Sequence, residues 1–159
     1  MVHRWLQRIA DDALAGWDAA RIERLRPVVQ AELAARDVRA SERAHAVERA
    51  LTALARAIAD PRGQWVLGPH PEAATEYRIT GRVAGTVRRM AIDRLFRDAS
   101  GARWVVDYKT SQHQGADVEA FLERERERYA AQLAHYARAL GDVDRLGLYF
   151  PLLAGWRET

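Results

Sequence analysis

Apolar positions in the first 60 residues recur every three to four residues, which is the period of an amphipathic helix. Three stripes follow this spacing, within residues 6–17, 22–33 and 44–58. Asp18 and Ser41 precede the second and third stripes and are expected to cap those helices. Pro27 predicts a kink or a restart within the second helix. The pattern therefore predicts a helical part over residues 1–60.

The stretch 61–72 breaks this pattern, because it contains three prolines and two glycines. The run Asp60-Pro61-Arg62-Gly63 is a stop signal for the third helix, and a loop is expected after it. Within this loop the apolar residues 65–67 predict a short strand.

From residue 73 the apolar spacing changes to that of strands. Strands are predicted over 74–83, 87–96, 103–110 and 146–150. Turn signals at Gly85-Thr86 and at 98–101 join the first three into a meander. A helix over 117–140, closed by Gly141, separates the third and fourth strands and suits a crossover connection.

The expected fold class is α/β (α+β), with N-terminal helices followed by a central mixed sheet of about four strands flanked by helices. The length fits a single domain over 1–159, in which 1–60 is the helical part and 73–159 the αβ core.

Composition narrows the classes of site that the chain can hold. The absence of cysteine excludes disulfides, thiolate zinc sites and cysteine-ligated iron–sulfur clusters. No apolar run is long enough for a membrane span, and no signal-peptide pattern opens the chain, so an intracellular protein is expected. The formal charge of +3 and the pI of about 9.7 permit nucleic-acid binding without requiring it.

The chain contains one lysine, Lys109, among 25 Lys and Arg residues. It lies two positions after Asp107 at the end of an apolar strand, so both side chains would point to the same face. Asp93 lies late in the preceding strand, and antiparallel pairing would bring the two carboxylates close together. A divalent cation would relieve their repulsion, and the ammonium could stabilise charge on a phosphate.

Tyr129, Gln132 and Tyr136 lie on one face of the long predicted helix, where they could position phosphate, a base or water. Each piece has a plainer interpretation when taken alone. Asp93-Arg94 could be a solvated pair, Asp107-x-Lys109 a salt bridge, and the Tyr–Gln–Tyr face simple packing. The alternating Glu and Arg residues of 123–128 are typical of a solvated helix with intrahelical ion pairs.

The order and spacing of these residues resemble a nuclease domain of the RecB type, within the PD-(D/E)xK, restriction-endonuclease-like superfamily. The matching residues are Val2-His3-Arg4 with Leu6, Glu76, Ile92-Asp93-Arg94, Val106-Asp107-Tyr108-Lys109-Thr110 and Gln132-x-x-x-Tyr136. The resemblance runs essentially from end to end. Because the chain has no cysteine, it resembles the branch of this family that lacks an iron–sulfur cluster.

The resemblance implies roles for these residues. Mg²⁺ or Mn²⁺ would be held by His3, Asp93, Asp107 and the backbone carbonyl of Tyr108. Lys109 would orient or polarise the attacking water and stabilise the phosphate. Glu76 matches an acidic position on the first strand. Gln132 and Tyr136, with Tyr129 on the same face, would contact DNA.

The implied function is metal-dependent hydrolysis of DNA phosphodiesters, in double-strand break repair or the processing of DNA ends. Related domains commonly follow a helicase motor, so we expect a domain cut from a longer, cytoplasmic and nucleoid-associated protein, with no membrane partner. Two alternatives stay open at this point. One is a catalytically silent DNA-binding or scaffolding module of a helicase complex, and the other is a site-specific endonuclease.

Overall fold

The computed structural model describes residues 1–83, 86–111, 113, 115 and 117–159. The chain divides into two compact units. The first comprises Met1–Gly68 with Pro151–Ala154, and the second comprises Pro69–Phe150 with Gly155–Thr159. Among the described helices none is both long and apolar enough to cross a membrane.

The first unit is helical, as the apolar spacing predicts. Its helices are α1 (Val2–Asp11), α2 (Ala19–Arg24), α3 (Arg26–Ala34), α4 (Ala40–Ala59) and α5 (Pro61–Leu67). Asp18 caps α2 by accepting a hydrogen bond from the backbone N–H of Arg21 at 2.6 Å. Pro27 lies in the first turn of α3, which confirms a restart, because proline lacks the N–H that a helix interior requires. Each helix buries its apolar stripe, including Leu6, Ile9, Val29 and Leu54, which are fully buried.

Three predictions in this unit were wrong in detail. The first stripe does not form one helix to residue 17, because α1 ends at Asp11 and the backbone takes a left-handed turn at Ala13 and Leu14. Ser41 does not cap α4, which begins at Ala40 without a side-chain cap.

The third error concerns the predicted loop and short strand at 65–67, where the structure has helix α5. Asp60 accepts a hydrogen bond from the N–H of Gly63 at 2.9 Å, and Pro61 occupies the first turn. The Asp-Pro pair that ends α4 therefore also begins α5, since an acidic N-cap followed by proline is a helix-start signal.

The second unit is a five-stranded mixed sheet with one long helix. Its elements are β1 (Ala74–Val83), β2 (Thr86–Arg97), β3 (Arg103–Tyr108), α6 (Val118–Leu140), β4 (Arg145–Phe150) and β5 (Gly155–Glu158). The strand order is β1-β2-β3-β4-β5; β3 and β4 are parallel and the other pairs antiparallel. This confirms the meander, the helical crossover and the α/β class, and the sheet is of the restriction-endonuclease-like kind.

Helix α6 begins and ends close to its predicted bounds, whereas strand β3 is shorter than predicted. Asp117 caps α6 through the N–H of Ala120, and Gly141 ends it with φ +86°. Strand β3 ends at Tyr108 rather than at residue 110. The predicted turn at Gly85-Thr86 falls partly outside the described residues. β5 was not predicted, because four residues are too short to show a strand pattern.

The turn between β2 and β3 is held by Asp98. Its carboxylate accepts hydrogen bonds from the backbone N–H and hydroxyl of Ser100, from the N–H of Ala102 and from the indole of Trp104, at 2.6–3.1 Å. These bonds lower the pKa of Asp98 to about 2, with the Ser100 hydroxyl as the largest cause. The turn sets the register of the two strands that carry Asp93 and Asp107.

Candidate active site

Two aspartates lie opposite each other on the central strands. The β2–β3 register pairs Arg94 with Val106, so Asp93 is the next residue across from Asp107. Asp93 is 9% exposed and Asp107 is 4% exposed. Asp93 accepts a hydrogen bond from the backbone N–H of Tyr108 at 2.7 Å, which ties its carboxylate to the end of β3. Arg94 is also buried, so the structure does not fit a solvated Asp93–Arg94 pair.

Glu76 occupies the same level of the sheet on β1. The β1–β2 register pairs Thr75 with Arg94 and Tyr77 with Ile92, which leaves Glu76 across from Asp93. Its backbone has φ +46°, in the left-handed region that a glutamate rarely adopts. Such a conformation within a strand costs about 1–3 kcal/mol and is typical of functional sites. Three successive strands therefore each place a carboxylate residue at this level.

Lys109 immediately follows β3. Its backbone N–H donates to the carbonyl of Tyr149 at 2.8 Å, which extends the pairing with β4 beyond the end of the strand. Its side chain is 12% exposed and forms an ion pair with Asp107. The ammonium also lies over the ring of Tyr129, 3.5 Å from the ring centroid, where the π electrons attract a cation. The salt bridge considered from sequence is thus present, and it is largely buried.

The predicted face of α6 approaches the two aspartates. Gln132 donates a hydrogen bond to the hydroxyl of Tyr136 at 2.6 Å. Burial raises the pKa of Tyr136, and the negative charges of Asp107 and Asp93 raise it further. Tyr136 therefore stays a neutral hydroxyl at physiological pH, able to donate a hydrogen bond. Tyr129, Gln132 and Tyr136 form more than a packing face, because two of them interact with Lys109 or the aspartates.

Sequence reasoning missed Glu125 on the same face of α6. The predicted ion pairs of the 123–128 run are present, between Glu123 and Arg126 and between Glu125 and Arg128. Glu125 is nevertheless only 6% exposed, and it accepts a hydrogen bond from the hydroxyl of Ser111 at 2.9 Å. Glu125 lies four residues before Tyr129, so extending the Tyr–Gln–Tyr stripe by one turn would have found it.

His3 lies on α1 in the first unit. The site described above belongs entirely to the second unit, so the role of His3 as a metal ligand stays a prediction.

The donors at the site suit a hard divalent cation. Asp93 and Asp107 supply buried carboxylate oxygens on paired strands, and Mg²⁺ is commonly held by one or two carboxylates together with water and substrate phosphate. Within the described part of the chain, no group of three or more His, Asp or Glu side chains is arranged to hold a metal.

Comparison with known proteins agrees with this geometry. The chain matches the PD-(D/E)XK nuclease superfamily over residues 1–150. It therefore belongs to that superfamily, whose members are generally nucleases and typically use divalent metals. A search of curated proteins gave no match.

Proposed function

We propose that the chain is a nuclease domain of the RecB type that hydrolyses DNA phosphodiesters with Mg²⁺ or Mn²⁺ and without an iron–sulfur cluster. One observation carries the proposal. Asp93 and Asp107 are buried opposite each other, and the single lysine of the chain is ion-paired with Asp107. Burial of three charged groups is energetically costly, since each loses its hydration. A function for these groups explains why the chain keeps them in a buried position.

Asp93, Asp107 and the backbone carbonyl of Tyr108 are the proposed metal ligands, with His3 as a further candidate. A divalent cation at this position would make bound water more acidic and neutralise charge on the phosphate. Two backbone contacts on either side of this carbonyl support the role. The Tyr108 N–H donates to Asp93, and the Lys109 N–H, which shares a peptide group with the Tyr108 carbonyl, donates to the carbonyl of Tyr149.

Lys109 is proposed to stabilise negative charge on the phosphate and to orient the attacking water. Its ammonium is held from two sides, by Asp107 and by the Tyr129 ring. A fixed charge is catalytically effective because it needs no rearrangement as the reaction proceeds. Arginine would not fit the same role, since its planar fork cannot replace a compact charge between these two groups.

Gln132 and Tyr136 are proposed to contact the DNA backbone near the scissile phosphate, and Tyr129 to lie at the edge of that contact. The neutral Tyr136 hydroxyl is a suitable donor to a phosphate oxygen. Glu76 is proposed to contribute through a second metal or a water, at the sheet level of Asp93.

The biological setting follows from the resemblance alone. We propose a role in double-strand break repair or DNA end processing, with a helicase motor in the same polypeptide or complex, near the nucleoid in the cytoplasm.

A cleavage assay on linear, circular and single-stranded DNA tests the proposal. We expect cleavage with Mg²⁺ or Mn²⁺ that stops in excess chelator. Cleavage of linear but not circular DNA would indicate an end-dependent exonuclease, and discrete products from circular DNA a site-specific endonuclease. Full activity in chelator would contradict the proposal. DNA binding with no cleavage under any metal would favour the silent module.

A further inference from the structure

The segment after β3 is attached to helix α6 at two successive turns. The ring of Tyr129 lies under the ammonium of Lys109. One helical turn earlier, Glu125 accepts a hydrogen bond from the hydroxyl of Ser111. Ser111 lies two positions after Lys109 in the chain. The backbone of Lys109 is fixed in turn by the carbonyl of Tyr149 on β4.

Glu125 is an unusual residue for its position. Its side chain is 9% exposed, and burying a carboxylate is unfavourable unless hydrogen bonds replace its lost hydration. Its partners lie on two sides. Ser111 binds Oε2 at 2.9 Å, and Arg128, which is 68% exposed, binds Oε1 at 3.3 Å. An alanine or leucine at this helix position would avoid the cost of desolvation, so packing alone does not explain a glutamate here.

We propose that Glu125 is a positioning residue for Lys109, acting through Ser111. The Glu125–Ser111 hydrogen bond holds the chain leaving β3 against α6, which keeps the ammonium between Asp107 and the Tyr129 ring. Its hydrogen bonds go to Ser111 and Arg128, so Glu125 is assigned a supporting role and no direct part in metal or DNA binding. The inference rests on the proposed function, because it assigns a supporting residue to the proposed catalytic lysine.

The kinetic test compares Glu125→Ala, Ser111→Ala, their double variant and Glu125→Gln. Misplacing a catalytic group by about 1 Å can lower turnover about 100-fold, so each alanine variant should lower kcat by about 10- to 100-fold with KM for DNA unchanged. The double variant should be no slower than the slower single variant, because both remove one interaction. Glu125→Gln keeps an acceptor for Ser111 and should recover most of the lost kcat.

The single lysine allows a second readout that needs no enzymatic activity. An amine-reactive reagent followed by peptide mass spectrometry reports the labelling rate of Lys109 separately from that of the N-terminal amine. Ser111→Ala and Glu125→Ala should label Lys109 several-fold faster than wild type, and Glu125→Gln should not. Glu127→Ala is the matched control, because Glu127 is exposed on the same helix.

The outcomes separate the two proposals. If the wild-type protein cleaves no DNA with any metal, the proposed function is overturned. If the Lys109 labelling rates of wild type and variants still differ as expected, the positioning role of Glu125 is retained. If the wild-type protein is active and its Glu125→Ala variant keeps the wild-type kcat and Lys109 labelling rate, only the positioning role of Glu125 is overturned. A loss through KM, or additive effects in the double variant, would also overturn it.

Discussion

Asp93 accepts a hydrogen bond from the backbone N–H of Tyr108 at 2.7 Å, across the two strands that carry the acidic pair. The same carboxylate is thus a structural acceptor and a proposed metal ligand. These two roles need different chemical properties. Accepting the N–H requires only an oxygen, whereas attracting a divalent cation requires the negative charge.

Asp93→Asn should therefore separate the two roles. The asparagine carbonyl can still accept the Tyr108 N–H, so we expect a folded protein with nearly unchanged circular dichroism and melting temperature. Mn²⁺ affinity should fall at least about tenfold, because charge count sets the affinity of an oxygen site. Calorimetric titration measures it, with Asp107→Asn expected to behave in the same way. Unchanged Mn²⁺ affinity in both variants would argue against the acidic pair as the metal site.

Tyr136→Phe should lower the cleavage rate about tenfold, because it removes one hydroxyl donor from a site where negative charge develops. Single-turnover cleavage with wild-type and variant protein checks this. An unchanged rate would leave the Tyr136 hydroxyl without a role in cleavage.

The raised pKa of Tyr136 also has a consequence for stability. The folded protein keeps the hydroxyl proton at pH values where the unfolded chain, with its ordinary pKa of 10.0, loses it. This contribution is complete below pH 10.0 and is lost as pH rises through the folded pKa. The stability difference between wild type and Tyr136→Phe should thus shrink in denaturant titrations above that pH. A constant difference would contradict the assignment.

Gly147→Ala should destabilise the sheet. Gly147 on β4 faces Trp156 on β5, and an added Cβ would lie 2.6 Å from Cζ2 of the indole ring. Trp104 packs against that ring from β3, with centroids 5.6 Å apart, so the indole has little room to move. Overpacking of this kind costs about 1–3 kcal/mol, to be measured by denaturant unfolding. Pairing the change with Trp156→Leu should cost less than the sum of the single changes, and strict additivity would contradict the proposed clash.

Asp98 should make the β2–β3 turn sensitive to acid. Its folded pKa is about 2, below its ordinary 3.8, so the stabilisation is complete above pH 3.8 and is lost as pH falls towards 2. Asp98→Asn should reduce the fall in melting temperature over this pH interval. The comparison of the two proteins carries the test, because it cancels the effects of acid that both share. Identical pH profiles would show that Asp98 does not hold the turn.

The fold was largely predictable because its signals are local. The spacing of apolar residues predicts β1–β4 and α6, and Gly141 predicts the end of α6. Helix α5 was missed since Asp60-Pro61 ends one helix and begins the next, and both uses have the same sequence signature. β5 was missed because its pairing with β4 is a tertiary contact, and four residues are too few to show a strand pattern in the sequence.

The candidate site was predictable in part for a similar reason. Asp107 and Lys109 lie on one short stretch, so their proximity follows from strand geometry alone. The burial of Glu125 depends on how α6 packs, and alternating Glu and Arg residues conceal it in the sequence. The left-handed backbone of Glu76 likewise has no sequence signal.

The most direct test of the central claim is Mn²⁺-dependent cleavage of linear DNA by wild type, Lys109→Ala and Asp107→Ala. Each protein should first be shown to be folded by circular dichroism. We predict metal-dependent cleavage by the wild-type protein, abolished by excess chelator and lowered at least about 1000-fold in both variants, since an essential charge of the site is removed. Full activity of folded Lys109→Ala, or wild-type cleavage in excess chelator, would contradict it.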